Sequence, residues 1–176
     1  PMDVLQAFVA ALAGYYDEQG SEKEISQQRA INLISKVPTI IASWERVRNG
    51  KDPIQPDSEL SHASNFLYML TGNKPDKEME RVFDVCLILH ADHTFNASTF
   101  AAREVASTRA HMYSAVSAAV GALSGELHGG ANYEVMKMLL EIVDESKVPE
   151  WVKSKIENGD RIMGMGIKRK NMMITD

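Results

Sequence analysis

Apolar residues recur at three- and four-residue spacing along most of the chain, and no window sustains a period of two. Over residues 2–15, Leu5, Phe8, Val9 and Leu12 fall on one face of a helix. Pro1 suits its first turn. A polar connector follows at 17–21. Residues 25–37 repeat the helical pattern with Ile31, Leu33, Ile34 and Val37, and Pro38 is expected to break that helix. A third helix over 40–48 closes at Asn49-Gly50.

Pro53 and Pro56 make 51–58 a loop, and a helical pattern resumes over 60–70 until Thr71-Gly72-Asn73 stops it. Asp76 is placed to cap the next helix, which runs to about Leu89. Residues 97–107 and 112–123 are rich in Ala and Ser, small side chains that let helices approach closely. The second of these carries no charge at all, which suits a core or subunit-interface helix. A turn at 127–132 feeds a helix over 131–143, and a short helix follows at 149–157. Asn158-Gly159 and Gly164-Met165-Gly166 mark turns. The pattern is that of an all-α fold, without sheet or internal repeat.

The chain's 176 residues are enough for one domain with a real core. A formal net charge of -5 with scattered Lys and Arg argues against nucleic acid as a partner. The one cysteine, Cys86, sits in an apolar run and reads as a small buried hydrophobe. It cannot form an internal disulfide, which points to a reducing, cytoplasmic setting. No stretch approaches the length of a membrane span, and the N-terminus lacks the pattern of a signal peptide. The opening Pro1-Met2-Asp3 reads as a processed or truncated start.

Three of the five histidines sit where chemistry is possible. His90 and His93 lie at the end of an apolar helix, in a run crowded with polar groups through Asn96 and Ser98. Such a helix terminus can hold a carboxylate, and it can equally hold two satisfied histidines whose positive charge a helix C-terminus tolerates. A metal reading of His90 and His93, three apart with Asp92 between them, lacks a clear third and fourth ligand at familiar spacing, so no metal is expected. His128 precedes two glycines and a helix start. Free N–H groups and the positive end of the helix dipole favour a neutral imidazole there, able to polarise a carbonyl. The alternative is a histidine that only caps the helix. His62 and His111 read as structural, and Met136, Met138, Met163, Met165, Met172 and Met173 as packing residues.

Five blocks in order carry a family resemblance: residues 1–5, 64–70, 90–107, 125–132 and 161–166. They include His-Ala-Asp-His-Thr-Phe-Asn-Ala-Ser from His90 and Gly-Glu-Leu-His-Gly-Gly-Ala-Asn from Gly125. They strongly resemble citrate synthase and its close relative 2-methylcitrate synthase. The resemblance implies a two-domain, all-helical homodimer that condenses an acyl-CoA, acetyl-CoA or propionyl-CoA, with oxaloacetate and then hydrolyses the thioester, as in the tricarboxylic acid cycle. It assigns 1–128 to the large domain, 129–166 to the start of the small domain and 167–176 to a divergent tail. His93 is then an oxaloacetate-binding residue and His128 the catalytic donor to the thioester oxygen. Asn96 and Ser98 support the oxaloacetate pocket. Met163, Gly164, Met165 and Gly166 begin the loop that meets the adenine of coenzyme A. No tightly bound cofactor is implied, because coenzyme A enters as a thioester substrate.

The chain departs from the family after Gly166. Ile167 stands where the family has a second catalytic histidine, and the family's general-base aspartate and further oxaloacetate-binding arginines lie beyond that turn. The expectation is the central part of a longer polypeptide, inactive alone. The alternative is a non-catalytic helical dimerising protein derived from the same family.

Overall fold

The computed structural model describes residues 1–92, 95–160 and 162. All regular structure among the described residues is helical, in the order α1 (Met2–Ala11), α2 (Glu22–Arg48), α3 (His62–Thr71), α4 (Lys77–Leu89), α5 (Ala97–Ser107), α6 (Met112–Leu123), α7 (Gly130–Ile142) and α8 (Val148–Asn158). Short 3₁₀ turns follow α1 and precede α8, at Leu12–Gly14 and Glu145–Lys147. The chain divides into two compact units, Pro1–Ala122 and Leu123–Asp176.

Side-chain caps set several of the helix starts. Ser21 and Glu24 form a reciprocal capping box at α2, where the Ser21 N–H donates to the Glu24 carboxylate at 2.8 Å. Asp76 caps α4 as the sequence indicates, accepting from the Met79 N–H at 2.7 Å. Ser61 caps α3 and Asn96 caps α5, accepting from the N–H groups of Ser64 and Thr99. Gly72 closes α3 with a φ of 91°, a left-handed conformation that glycine adopts without strain.

One expectation fails at Pro38. It lies inside α2, which runs unbroken for 27 residues. Proline removes the hydrogen bond to the Ile34 carbonyl and costs a helix interior about 3 kcal/mol. Packing offsets that cost, because the inward stripe continues in register on both sides of it. Leu33 is buried and Val37 packs against the same core, while Ile40 and Trp44 beyond the proline line a shared hollow. Ile31 and Ile34, grouped with that stripe from sequence, lie outside it and are exposed.

The core of the first unit is the meeting of α1, α2 and α6 through Val9, Leu33 and Tyr113, with Leu5, Leu12, Tyr16 and Val116 around them. Val9 and Tyr113 are shut off from solvent. From α2 the packing passes to α3, and from α3 to α4. The loop before α3 is held by the Asn65 side chain, which accepts from the Asp57 N–H at 3.0 Å and donates to the Asp57 carbonyl at 2.7 Å. The Phe66 and Phe83 rings stack at 5.1 Å between α3 and α4.

Cys86 is exposed, contrary to the sequence reading. Phe83 and Glu80 are the best-covered residues of α4, and Val82, Ile88 and Leu89 are exposed. The charge-free α6 behaves differently. Its residues 112–122 are all buried or half-buried, with Tyr113, Ala115 and Ser117 the most enclosed. No helix among the described residues is long and apolar enough to cross a membrane.

Candidate active site

Asn96 and Ser98 come together at the start of α5. The Asn96 Oδ1 accepts from the Thr99 N–H at 2.8 Å, and the Ser98 hydroxyl donates to the Ala119 carbonyl at 3.0 Å. One residue fixes the first turn of α5, and the other ties that turn to α6. Between α4 and α5, Phe95 holds a φ of 51° and is 85% exposed. Left-handed backbone costs a residue of this kind about 1 kcal/mol or more, so the turn carries local strain. His93, assigned to oxaloacetate by resemblance, lies outside the described residues, as do Met163, Gly164, Met165 and Gly166. The metal reading of His90 and His93 therefore also falls partly outside them.

His90 ends α4 and is exposed. Its Nδ1 lies 2.7 Å from the Cys86 carbonyl. A carbonyl only accepts, so the proton sits on Nδ1 and the ring closes its own helix. His111 has a comparable task at α6, where its Nδ1 accepts from the Ser114 N–H at 3.2 Å. The structural reading of His111 follows from that bond.

His128 lies in the second unit, in a turn just before α7. Its N–H donates to the Gly125 carbonyl at 3.0 Å, and its carbonyl accepts from the Ala131 N–H at 3.3 Å. The Gly130 N–H donates to the same Gly125 carbonyl at 3.3 Å. Gly129 has an ordinary φ of -68°, so the turn does not need glycine for its backbone angles. It needs glycine for space, because a Cβ there would collide with the Leu123 carbonyl oxygen. His128 is thus held on both sides by main chain, half-buried, with α7 beginning two residues later.

The family profile described as "Citrate synthase, C-terminal domain" matches residues 1–169. The chain belongs to the citrate synthase family. It is 42% identical over 177 residues to a citrate synthase of Haloferax volcanii, an alignment covering 98% of this chain and 47% of that protein. It is 43% identical over 166 residues to a 2-methylcitrate synthase of Mycobacterium tuberculosis, covering 94% of this chain and 42% of the relative. The crystal structure of citrate synthase from Pyrobaculum aerophilum superposes with a TM-score of 0.81 at 42% identity, over 93% of this chain and 43% of that one. The chain therefore spans less than half the length of the curated relatives it matches.

Sequence reasoning missed one polar cluster. The Tyr113 hydroxyl of α6 meets Glu18 and Asn32, and Glu18 also pairs with Arg29 at 3.3 Å. These residues lie 95, 81 and 11 positions apart, so no local pattern announces them. The available signal was one tyrosine in an otherwise small and apolar helix, since a buried phenol seeks a partner. The Glu18 carboxyl sits below its ordinary value of 4.5, first because of the Tyr113 hydrogen bond. The Tyr113 phenol is pushed up by burial and then by Glu18.

Proposed function

We propose that this chain supplies the oxaloacetate-holding and carbonyl-polarising part of a citrate synthase-type condensation site. His93 binds oxaloacetate. His128 donates a hydrogen bond to the thioester oxygen of acetyl-CoA or propionyl-CoA as the enol forms. Asn96 and Ser98 hold the start of α5, and 163–166 meets the adenine end of coenzyme A. No metal and no tightly bound cofactor takes part.

The observation that carries this reading is the construction of the 125–130 turn. Main-chain bonds on both sides fix the backbone that carries the His128 ring, which lowers the reorganisation needed when negative charge develops on an oxygen beside it. Gly129, which has no room for a side chain, keeps that turn closed against the end of α6. Family membership supplies the reaction in which such a donor works.

We propose that these 176 residues do not complete the condensation by themselves. By the resemblance, Ile167 stands where the family has a second catalytic histidine. A positioned acid or base contributes about 10²–10⁴-fold to rate. The pure 176-residue protein, given acetyl-CoA and oxaloacetate, should release no thiol above background. Turnover within tenfold of a full-length citrate synthase assayed beside it would overturn the reading.

A second reading, a non-catalytic helical protein that associates with its own copies, has one specific observation in its favour. The outer face of α4 exposes Val82, Val85, Ile88 and Leu89 in this single chain. Oxaloacetate binding separates the two, since only the condensing-site reading requires it.

A further inference from the structure

The sequence holds two Asn-Gly pairs, Asn49-Gly50 and Asn158-Gly159, and each closes a helix. In such a pair the glycine nitrogen can attack the asparagine Cγ, because no Cβ on the glycine hinders the approach. A bond forms between that nitrogen and Cγ, giving a cyclic succinimide. The Cγ–Nδ2 bond breaks, and the side-chain nitrogen leaves as ammonia, taking up the proton that the glycine nitrogen loses. Water then opens the ring to aspartate or isoaspartate.

The two pairs are alike at the attacking atom. The Gly50 N–H donates to the Val47 carbonyl at 2.9 Å, and the Gly159 N–H to the Ile156 carbonyl at 3.0 Å. Both glycines are left-handed, with φ of 68° and 76°. They differ at the departing group. The Asn49 Nδ2 donates to the Glu45 carbonyl at 2.7 Å and to the Glu45 Oε1 at 2.9 Å. Glu45 is itself held by Arg48 through its other carboxylate oxygen. The Asn49 amide is thus turned back onto the last turn of α2. The Asn158 side chain makes no hydrogen bond among the described residues.

We propose that Asn158-Gly159 is a site of spontaneous deamidation, and that Glu45 guards the chemically identical Asn49-Gly50 pair against the same reaction. Attacking and departing groups both lie within the dipeptide, so the contrast rests on bonds inside α2 and α8. Two bonds that must break before attack, one of them to a carboxylate, slow the reaction at Asn49 by at least about tenfold. At α8 the product places a negative charge at the negative end of the helix dipole, close to Asp160. Isoaspartate also lengthens the main chain ahead of the Gly159 and Asp160 N–H bonds that close the helix. The modification therefore opens the end of α8. It shares no residue with the condensation reading.

The test is incubation of the full 176-residue chain at mildly alkaline pH, followed by peptide mass mapping. Deamidated peptides gain mass as water replaces ammonia, and isoaspartyl and aspartyl forms separate by chromatography. Each site's rate is divided by its own rate in urea, which removes the intrinsic chemistry. On that scale Asn158 should react at least about tenfold faster than Asn49. Glu45→Ala should raise the Asn49 rate about tenfold and leave Asn158 unchanged, with helical circular dichroism retained. Glu45→Gln, which keeps an accepting oxygen, should raise it less. Equal rates at the two sites, a faster reaction at Asn49, or an Asn49 rate indifferent to Glu45→Ala overturns the proposal. The comparison of the two sites needs no variant, so a Glu45→Ala protein that fails to fold leaves that test intact.

Discussion

The Tyr113 hydroxyl donates to the Glu18 Oε1 at 2.7 Å, joining residues 95 positions apart. It accepts at the same time from the Asn32 side chain at 3.2 Å. The connector between α1 and α2 is thereby fastened to the start of α6. A hydrogen bond to a charged acceptor contributes about 1.5–3 kcal/mol, so Tyr113→Phe should lower stability by roughly that amount in urea unfolding. The loss should depend on pH. The folded Glu18 carboxyl lies below its ordinary value of 4.5, so its contribution is complete above that pH and disappears as the pH falls through the folded value. The gap between wild type and Tyr113→Phe should therefore narrow on acidification below about 4.5. A gap independent of pH would assign the loss to packing alone.

Asn96 and Asp76 provide an internal comparison. Each caps a helix through one side-chain oxygen, at 2.8 and 2.7 Å. Asn96→Ala and Asp76→Ala should each cost about 1 kcal/mol in thermal or chemical unfolding. Only Asn96→Ala should also weaken oxaloacetate binding by calorimetry, if the start of α5 supports that ligand. Equal effects of both variants on binding would reduce Asn96 to a cap.

Gly129→Ala should destabilise Leu123–Asp176 by about 1–3 kcal/mol, the usual range for a methyl group forced into filled space. Gly130→Ala is the matched control, because the nearest atom to its added Cβ is an ordinary contact at 3.8 Å. Amide exchange over α7 reads the difference. Equal protection in both variants would show that the Leu123 carbonyl moves aside without loss.

The open face of α4 predicts association. Ile88 and Leu89 are 64% and 72% exposed, beside Val82 and Val85. Obligate interfaces are built from apolar surface of this kind. Sedimentation equilibrium at micromolar concentration should give a dimer, and Ile88→Glu with Leu89→Glu should shift it toward monomer while helical circular dichroism persists. An unchanged dimer would move the interface to another surface.

Much of the fold is legible in the sequence because its punctuation is local. Asp76, Gly72 and Gly159 end or begin helices through bonds and backbone angles that their own side chains, or lack of them, dictate. The sequence misleads where a distant contact overrides a local preference. Pro38 does so in α2, and Cys86 does so in reverse, being exposed together with its neighbours Val82, Val85, Ile88 and Leu89. In the candidate site, the turn holding His128 is readable from its glycines. The need for Gly129 is not, because the obstructing atom belongs to the end of the preceding helix.

The missing amide at Pro38 has a consequence for how α2 opens. In an uninterrupted helix each peptide hydrogen bond is supported by neighbours on either side, and fraying must start at an end. The Ser21–Glu24 box closes one of those ends. The proline introduces a third place to start, in the middle, where the Ile34 carbonyl accepts no main-chain proton from residue 38. The 27-residue rod should thus exchange its amides as two segments with separate opening energies. The segment before the proline is anchored by Leu33 in the core, and the one after it lines the shared hollow through Ile40 and Trp44.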